Sequence, residues 1–191
     1  MSEPLIRIAA KSAAEVCKLF PLGDEAKPLL KDGLTPQQFL DVLEGKALYV
    51  DAFRFLAYGL PKREGVFWAV TCAKQVAGPQ PPANVAAALA AANKWVLDPS
   101  EDNRRATEVA YQAAELSTAA GCAAIAAFWS GGSLSPKDLP VVPPAETLTA
   151  HGVASAVLLA SIAQDPAKIA ELHKAFAAHG RAIASGKLKW T

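Results

Sequence analysis

Arginines, aromatic residues and one glutamate recur beside two predicted helix–helix corners. Arg54 and Tyr58 are four residues apart, as are Glu64 and Trp68, so each pair shares one face of a helix. Arginine, tryptophan and tyrosine supply much of the binding energy of protein interfaces, and an arginine fixes a charged group of the partner. If the two corners pack together, these side chains form a partner-binding cluster. Its predicted members are Arg54, Tyr58, Arg63, Glu64, Trp68, Trp95 and Arg105.

A plainer interpretation of these residues is also open, and the sequence favours it. Trp68 and Trp95 then lie half-buried in the core with their polar edges bonded locally, and Glu64 belongs to a helix N-terminal cap. Arg105 follows Glu101 by four residues, a spacing typical of surface ion pairs. On this interpretation the cluster stabilises the fold and contacts no partner.

Two glycines indicate an alternative site. Gly121 and Gly152 each lie inside an alanine-rich predicted helix, where glycine costs stability unless it permits a close approach. We therefore expect two central helices that pack backbone against backbone. The functional alternative is a small-ligand pocket between them, formed by Gly121, His151 and Gly152, with His151 as its polar group. Close packing is favoured, and His151 is then a core or interface histidine.

No residue pattern indicates catalysis or a metal site. A catalytic serine or cysteine needs a positioned base, and His151, His173 and His179 stand in no triad or nucleophile-elbow context. His173 and His179 are six residues apart, so they do not share a helix face at ligand spacing. The glycine-rich segment 131–133 lacks the lysine of a phosphate-binding loop. We expect a protein that is not an enzyme and that binds no cofactor and no metal.

A tight corner between two helices is expected to position the partner-binding cluster. Asp98 is predicted to cap the second helix, with Pro99 at the first helical position and Glu101 completing a capping box. One helix then ends near Leu97, and the next runs from Pro99 through an apolar segment to Trp129. The same proline position is predicted at Pro36, Pro61 and Pro166.

Composition narrows the class of protein. The 191 residues are 52% apolar and 19% charged, which argues against disorder, and much of the apolar content is alanine, the best helix former. A formal net charge of +1 gives no reason to expect nucleic acid or an anionic membrane as partner. Three cysteines without a CxxC pair suit a reducing cytoplasm. We expect no signal peptide and no membrane span.

The predicted fold class is all-α. We expect a single compact domain of packed antiparallel helical hairpins, an irregular bundle or a HEAT-like arrangement, with about seven to nine helices. Residues 1–34 are interpreted as an N-terminal lead-in with short helices, and residues 35–191 as the helical domain. The loop 130–145, rich in proline, glycine and serine, is the one long irregular connection.

Three segments carry a resemblance to a known family. They are residues 60–64 (LPKRE) with 67–69 (FWA), the stretch 95–106 (WVLDPSEDNRRA), and the alanine-rich 119–124 (AAGCAA) with the loop behind it. Through them the chain resembles an uncharacterised bacterial all-helical family, domain of unknown function 6931, over most of its length. That family has no established activity to carry over. The resemblance implies an accessory component encoded beside contractile, type VI-like secretion systems, which is an argument by association.

We therefore expect a non-enzymatic, cytoplasmic protein-binding module: an adaptor, a chaperone or an accessory protein of a bacterial secretion system. The expected partner is another protein, either a secretion-system component or an effector, and a homo-oligomer is compatible with the sequence. Two alternatives stay open. One is a small-ligand-binding protein or enzyme with its pocket between the Gly121 and Gly152 helices. The other is an immunity protein that neutralises a toxin.

Overall fold

Helices account for all the regular structure in the part of the chain that the computed structural model describes, residues 3–163 and 165–190, and no strand occurs there. The nine α-helices of these residues confirm the predicted all-α fold. In chain order they are α1 (Ala13–Cys17), α2 (Pro36–Gly45), α3 (Tyr49–Gly59), α4 (Lys62–Ala77), α5 (Ala83–Leu97), α6 (Glu101–Ala114), α7 (Ala119–Phe128), α8 (Leu148–Ile162) and α9 (Ile169–Ala184).

The helix α7 lies at the centre of the core. Every residue from Ala120 to Phe128 is buried, and the helix contacts α4, α5, α6 and α8. Its alanines let neighbouring backbones come close, most of all at α8, where a Cβ added to Gly152 would lie 2.9 Å from the Cβ and 3.0 Å from the Cα of Ala126. The expected backbone-to-backbone packing therefore occurs at Gly152, which only glycine allows without a shift of the helices.

The predicted long helix from Pro99 to Trp129 is wrong, because the chain breaks between α6 and α7. Glu115 adopts a left-handed conformation (φ 63°), and the Thr118 hydroxyl caps α7 by accepting from Gly121 N–H at 3.0 Å. A side chain at position 121 would collide with the Glu115 carbonyl oxygen. Gly121 is thus required by this turn, and the atoms nearest to a Cβ added there belong to Glu115 and Thr118 and not to α8.

The corner between α5 and α6 is built differently from the prediction. Ser100, and not Asp98, is the N-cap of α6, and its hydroxyl accepts from Asn103 N–H at 3.4 Å. Asp98 ends α5 instead, and its carboxylate accepts from the Asn103 side-chain amide at 2.8 Å. Glu101 completes no capping box, because it is the first residue of α6 and not the third, and its carboxylate accepts from Arg104 at 2.6 and 2.7 Å. Pro99 therefore precedes the cap.

Of the other three prolines predicted at helix starts, two hold the first position of a helical turn and one precedes its helix. Pro36 holds the first position of α2, where the Thr35 hydroxyl accepts from Gln38 N–H in a complete capping box, as its spacing predicts. Pro166 opens a short 3-10 turn that Asp165 caps. Pro61 lies one residue before α4 as its N-cap. The proline pattern locates helix starts to within a residue or two.

Arg104 ties the long loop to the helices. Its side chain is 4% exposed, and its guanidinium donates to the carbonyl oxygens of Phe128 at 2.6 Å and Ser133 at 3.1 Å. The Ser133 hydroxyl in turn accepts from Val142 N–H at 3.0 Å. The loop 130–145 is thus fastened at its start and near its end, while Val141 stays 74% exposed.

No single helix of the described ranges is both long and apolar enough to cross a bilayer. By length and composition alone, α8 and the segment Pro166–Ala184, which are bent relative to each other, pass that test as a pair.

The N-terminal part of the chain packs on the following helices. Helix α1 contacts α2 and α3, and Ala13 N–H donates to the Leu34 carbonyl oxygen at 2.8 Å. The division between residues 1–34 and 35–191 stays a prediction.

Candidate functional site

The two tryptophans of the predicted partner-binding cluster lie in the core. Trp68 is fully buried, its ring meets Phe53 edge-on with centroids 6.0 Å apart, and its Nε1–H donates to the Phe176 carbonyl oxygen at 3.0 Å. Trp95 is 5% exposed. This burial corrects the expectation that both rings contact a partner, because neither presents a face to solvent.

Arg63 shows that the two predicted corners do pack together. Its Nε–H donates to the Val96 carbonyl oxygen at 2.7 Å and its Nη2 to that of Leu97 at 3.0 Å. Its guanidinium also lies over the Trp190 ring, 4.4 Å from the centroid. The cation thus satisfies the last carbonyls of α5, where the helix dipole favours positive charge. This use of Arg63 holds two helices together.

Glu64 and Arg105 are likewise paired within the fold. The Glu64 carboxylate lies 3.4 Å from Arg7 and is almost buried. Arg105 contacts Glu101 at 3.0 Å and Glu108 at 3.7 Å, as the helical spacing predicts for an ordinary ion pair. The charge of each residue is thus balanced by a partner within the fold.

Arg54 and Tyr58 are the two members of the cluster that face an open cleft. They stand one turn apart on α3, and the Tyr58 ring packs on Phe20 with centroids 5.1 Å apart. Partial burial raises the pKa of Tyr58, and the Arg54 charge opposes that rise. Within the described residues, no carboxylate or carbonyl oxygen lies within hydrogen-bond distance of Arg54.

The outward side of α8 carries the surface that joins this pair to the alternative site. His151, Ser155, Leu158, Leu159 and Ile162 recur at helical spacing on one side, and all of them are partly or largely exposed. We call these five residues the α8 strip. Over Leu148–Ile162 the helix has no Lys, Arg, Asp or Glu. Ile162 is 59% exposed, so the strip offers apolar surface to solvent.

A cleft of about 390 Å³ lies between the strip and α7. We call it the central cleft. Its α7 wall comes from Cys122 and Ile125, with Leu116 and Trp129 at the two ends of the helix. Leu116 is 49% exposed, and all four side chains lack charge. The central cleft is therefore an open, apolar trough with His151 and Ser155 as its polar edge.

Two further clefts border the same strip. Leu159 and Ile162 also line a cleft of about 430 Å³ toward α4 and the start of α5, which we call the distal cleft. On the opposite side, His151, Ser155 and Leu158 face Arg54 and Tyr58 across a cleft of about 170 Å³, the Arg54 cleft. Among the described residues that line these three clefts there is no Asp or Glu, and Arg54 is the one with a permanent charge.

The structure thus brings together parts of both predicted sites. His151 and Gly152 of the alternative pocket line the central cleft, whereas Gly121 does not. Arg54 and Tyr58 of the first cluster lie on the far side of His151. Sequence reasoning did not single out Leu158, Leu159 or Ile162. The sequence indicates them only through the lack of charged residues in α8. That pattern is also typical of a core helix, so it cannot be interpreted before the neighbours of α8 are known.

Reactive chemistry in the central cleft is limited. The Cys122 thiol donates to the Leu116 carbonyl oxygen at 3.2 Å, and burial raises its pKa, so the thiolate is scarce at neutral pH. The described residues contain no group of three or more His, Cys, Asp or Glu side chains placed to hold a metal ion. His151 is exposed and has no carboxylate among the residues that line its two clefts.

Fold and clefts together define an all-α protein with an open, mostly apolar groove along one helix. Residues 39–184 match the model of a family of unknown function, DUF6931, and the chain belongs to this family. Searches among curated proteins and solved structures gave no match.

Proposed function

We propose that the chain is a non-enzymatic protein-binding module that holds an amphipathic helix of another protein along the α8 strip. The observation that carries this proposal is the run of three clefts beside one uncharged helix face. The strip from His151 to Ile162 spans twelve residues, or about 16 Å of helix axis, which matches about three turns of a partner helix. Helix-in-groove recognition uses apolar anchors at this spacing.

The contrast with α6 supports a covered surface. The outer side of α6 carries Glu101, Asp102, Arg105 and Glu108, as expected of a helix that faces water. On α6 the exposed Val109 lies among these charges, whereas the outer side of α8 carries none of these charged residue types and exposes Ile162 beside the partly exposed Leu158 and Leu159. Exposed apolar surface beside polar surroundings is typical of binding sites.

Charge indicates the chemistry of the occupant. The apolar central and distal clefts accept leucine-like anchors, while Arg54 at one end is a cation with no carboxylate of the described residues within ion-pair distance. The partner helix is therefore apolar on one face and acidic at the end that lies near Arg54. Such complementarity fixes the direction in which a helix binds.

Photo-crosslinking in cells tests this function. A photoreactive amino acid at position 159 is expected to capture a partner segment with apolar residues at helical spacing, whereas one at Val109 on α6 is the matched control. A synthetic copy of the captured segment is then titrated. We expect Ile162→Glu to weaken binding tenfold or more and Val109→Glu to leave it unchanged, since Val109 is 72% exposed and lines none of the three clefts. Equal affinities for both variants would contradict the proposed surface.

The cellular role stays a prediction from the family resemblance. We propose a cytoplasmic adaptor, chaperone or accessory protein of a bacterial, type VI-like secretion system, whose partner is a component or an effector. An immunity protein would bind a toxin through the same kind of surface. The neighbouring genes and the identity of the crosslinked protein separate these roles: a structural component or effector supports the first, and a toxin the second.

A small-ligand function is the second candidate, because the central cleft has the volume of ligand pockets and His151 at its edge. A thermal-shift screen distinguishes it from the first. A large upward shift with one metabolite favours the ligand function, since a compound that binds only the native state raises its stability. That shift should disappear when Ser155→Trp fills the cleft.

A further inference from the structure

The Arg54 cleft combines hydrogen-bond donors with an apolar floor. Arg54 and Tyr58 stand one turn apart on α3, and His151 and Ser155 stand one turn apart on α8, so the two pairs line the cleft from opposite helices. Phe20 and Pro21 close a third side. The packing of Phe20 on the Tyr58 ring holds that phenol in place.

Arg54 differs from every other arginine of the chain. The sequence has six, and Arg7, Arg63, Arg104, Arg105 and Arg181 each contact a carboxylate or a carbonyl oxygen. Within the described residues Arg54 has no such contact, and its charge acts on the neighbouring Tyr58, whose pKa it lowers against the larger effect of burial. Among the described residues, a guanidinium beside two hydroxyls and an imidazole, with no carboxylate or carbonyl oxygen bound to it, is suited to an anion from outside.

The size of the cleft selects the anion. A volume of about 170 Å³ is room for about five or six water-sized groups. This suits a carboxylate on a stem of two or three carbons, whose methylenes would contact Phe20 and Leu158 while its oxygens meet the donors.

We propose that Arg54, Tyr58, His151 and Ser155 form a carboxylate-binding subsite, which takes the side chain of a Glu or Asp residue on the partner helix. The proposal rests on the proposed function, because the subsite and the central cleft share His151, Ser155 and Leu158 and so can be filled by one ligand. The acidic residue enters the Arg54 cleft while apolar residues of the same helix fill the central cleft.

The first test uses butyrate, which copies a Glu side chain, on the full chain. Titration followed by NMR is expected to move the His151 and Ser155 signals saturably, with a dissociation constant of about millimolar order, as for any small fragment. Butyramide, the neutral isostere, is expected to move neither. Arg54→Gln should weaken butyrate binding tenfold or more. Lys94→Gln, a matched loss of a cation beside a different cleft, should change nothing.

Three results of that titration would overturn the subsite: equal shifts with butyramide, equal affinity in Arg54→Gln, or shifts confined to other residues. Folding of both variants is checked first by their thermal unfolding. Arg54→Lys keeps the positive charge and loses the planar, two-pronged guanidinium, so it is expected to recover part of the affinity.

The second test uses the crosslinked partner peptide. Replacement of its acidic residue by the amide should weaken binding to the native chain and leave binding to Arg54→Gln unchanged. Butyrate binding without any such coupling would show that the cleft takes a free small acid, which overturns the side-chain proposal. Helix binding that ignores Arg54 supports the proposed function and overturns the subsite. Arg54-dependent butyrate binding with no helix bound contradicts the proposed function, and because the cleft then takes a free small acid, it overturns the side-chain proposal as well.

Discussion

Replacement of Arg104 by Met should be among the most damaging single changes outside the apolar core. The Arg104 side chain is 4% exposed, and its guanidinium binds Glu101 through two bonds, the Phe128 carbonyl oxygen at 2.6 Å and the Ser133 carbonyl oxygen at 3.1 Å. It also lies over the Phe128 ring, 4.9 Å from the centroid. Met fills part of the volume and supplies none of these bonds, so the end of α7 and the loop 130–145 lose their common anchor.

The magnitude follows from the burial of each partner. A hydrogen bond from a charged donor contributes about 1.5–3 kcal/mol, and we assign about 2 kcal/mol to the buried Phe128 bond and about 1 kcal/mol to the longer Ser133 bond. Glu101 is 49% exposed, so its pair with Arg104 adds only about 0.5–1 kcal/mol after solvent screening. The sum is about 3.5–4 kcal/mol.

Arg105→Met is the matched control, because Arg105 is the next residue and binds the same Glu101. It has no carbonyl bond of this kind, so about 0.5–1 kcal/mol is expected. In urea titrations followed by circular dichroism at pH 7, a slope of about 2–3 kcal/mol per molar predicts a midpoint lowered by about 1–2 M for Arg104→Met and by about 0.3 M for Arg105→Met. Hydrogen exchange of Val142 N–H should also accelerate in the Arg104 variant alone. Equal midpoints and equal exchange in the two variants would refute the anchoring role.

Two further predictions concern the same helices. The Arg104 hydrogen bond, with help from Arg105, lowers the pKa of Glu101 to about 2, so this pair stabilises the fold above the ordinary pKa of 4.5 and is lost as the pH falls through about 2. Glu101→Gln should therefore cost about 1 kcal/mol at pH 7, allowing for its exposure, with a gap to the native chain that closes between pH 4.5 and 2; a gap that is independent of pH contradicts this. Gly152→Ala puts its Cβ 2.9 Å from that of Ala126 and should cost about 1–3 kcal/mol, or about 3–10 °C in thermal midpoint. Gly131→Ala meets nothing within 4 Å, and a midpoint as low as that of Gly152→Ala would contradict the packing argument.

Local capping chemistry explains why much of the fold could be predicted from the sequence. Thr35 and Gln38 form the capping box that their spacing indicates, and Ser12 caps α1. The break after α6 was missed because Thr118 looks unremarkable inside an alanine-rich run. Its role depends on Glu115 adopting a left-handed conformation that no spacing rule favours for glutamate.

The surroundings of the predicted partner-binding cluster were harder to predict, since residue types do not reveal which side of a helix is covered. Trp68 and Arg63 are residue types that suit an interface. Trp68, however, donates to the Phe176 carbonyl oxygen of α9, and Arg63 donates to the Val96 carbonyl oxygen at the end of α5. Whether a tryptophan or an arginine makes its contacts within the fold or stays available to a partner depends on which residues far apart in the chain come together. The plainer interpretation of these residues described their surroundings better than the functional one did.

The pair α7 and α8 shows where such reasoning reaches its limit and what the structure adds. Neither helix contains a charged residue, and both read as core. In α7 every residue from Ala120 to Phe128 is buried, whereas α8 leaves His151, Leu158 and Ile162 outward beside three clefts. A helix that met only water on that side would gain solubility from charges at no cost in packing. Their absence over the fifteen residues of α8 is therefore the strongest physical reason to expect that another helix completes this layer of the protein.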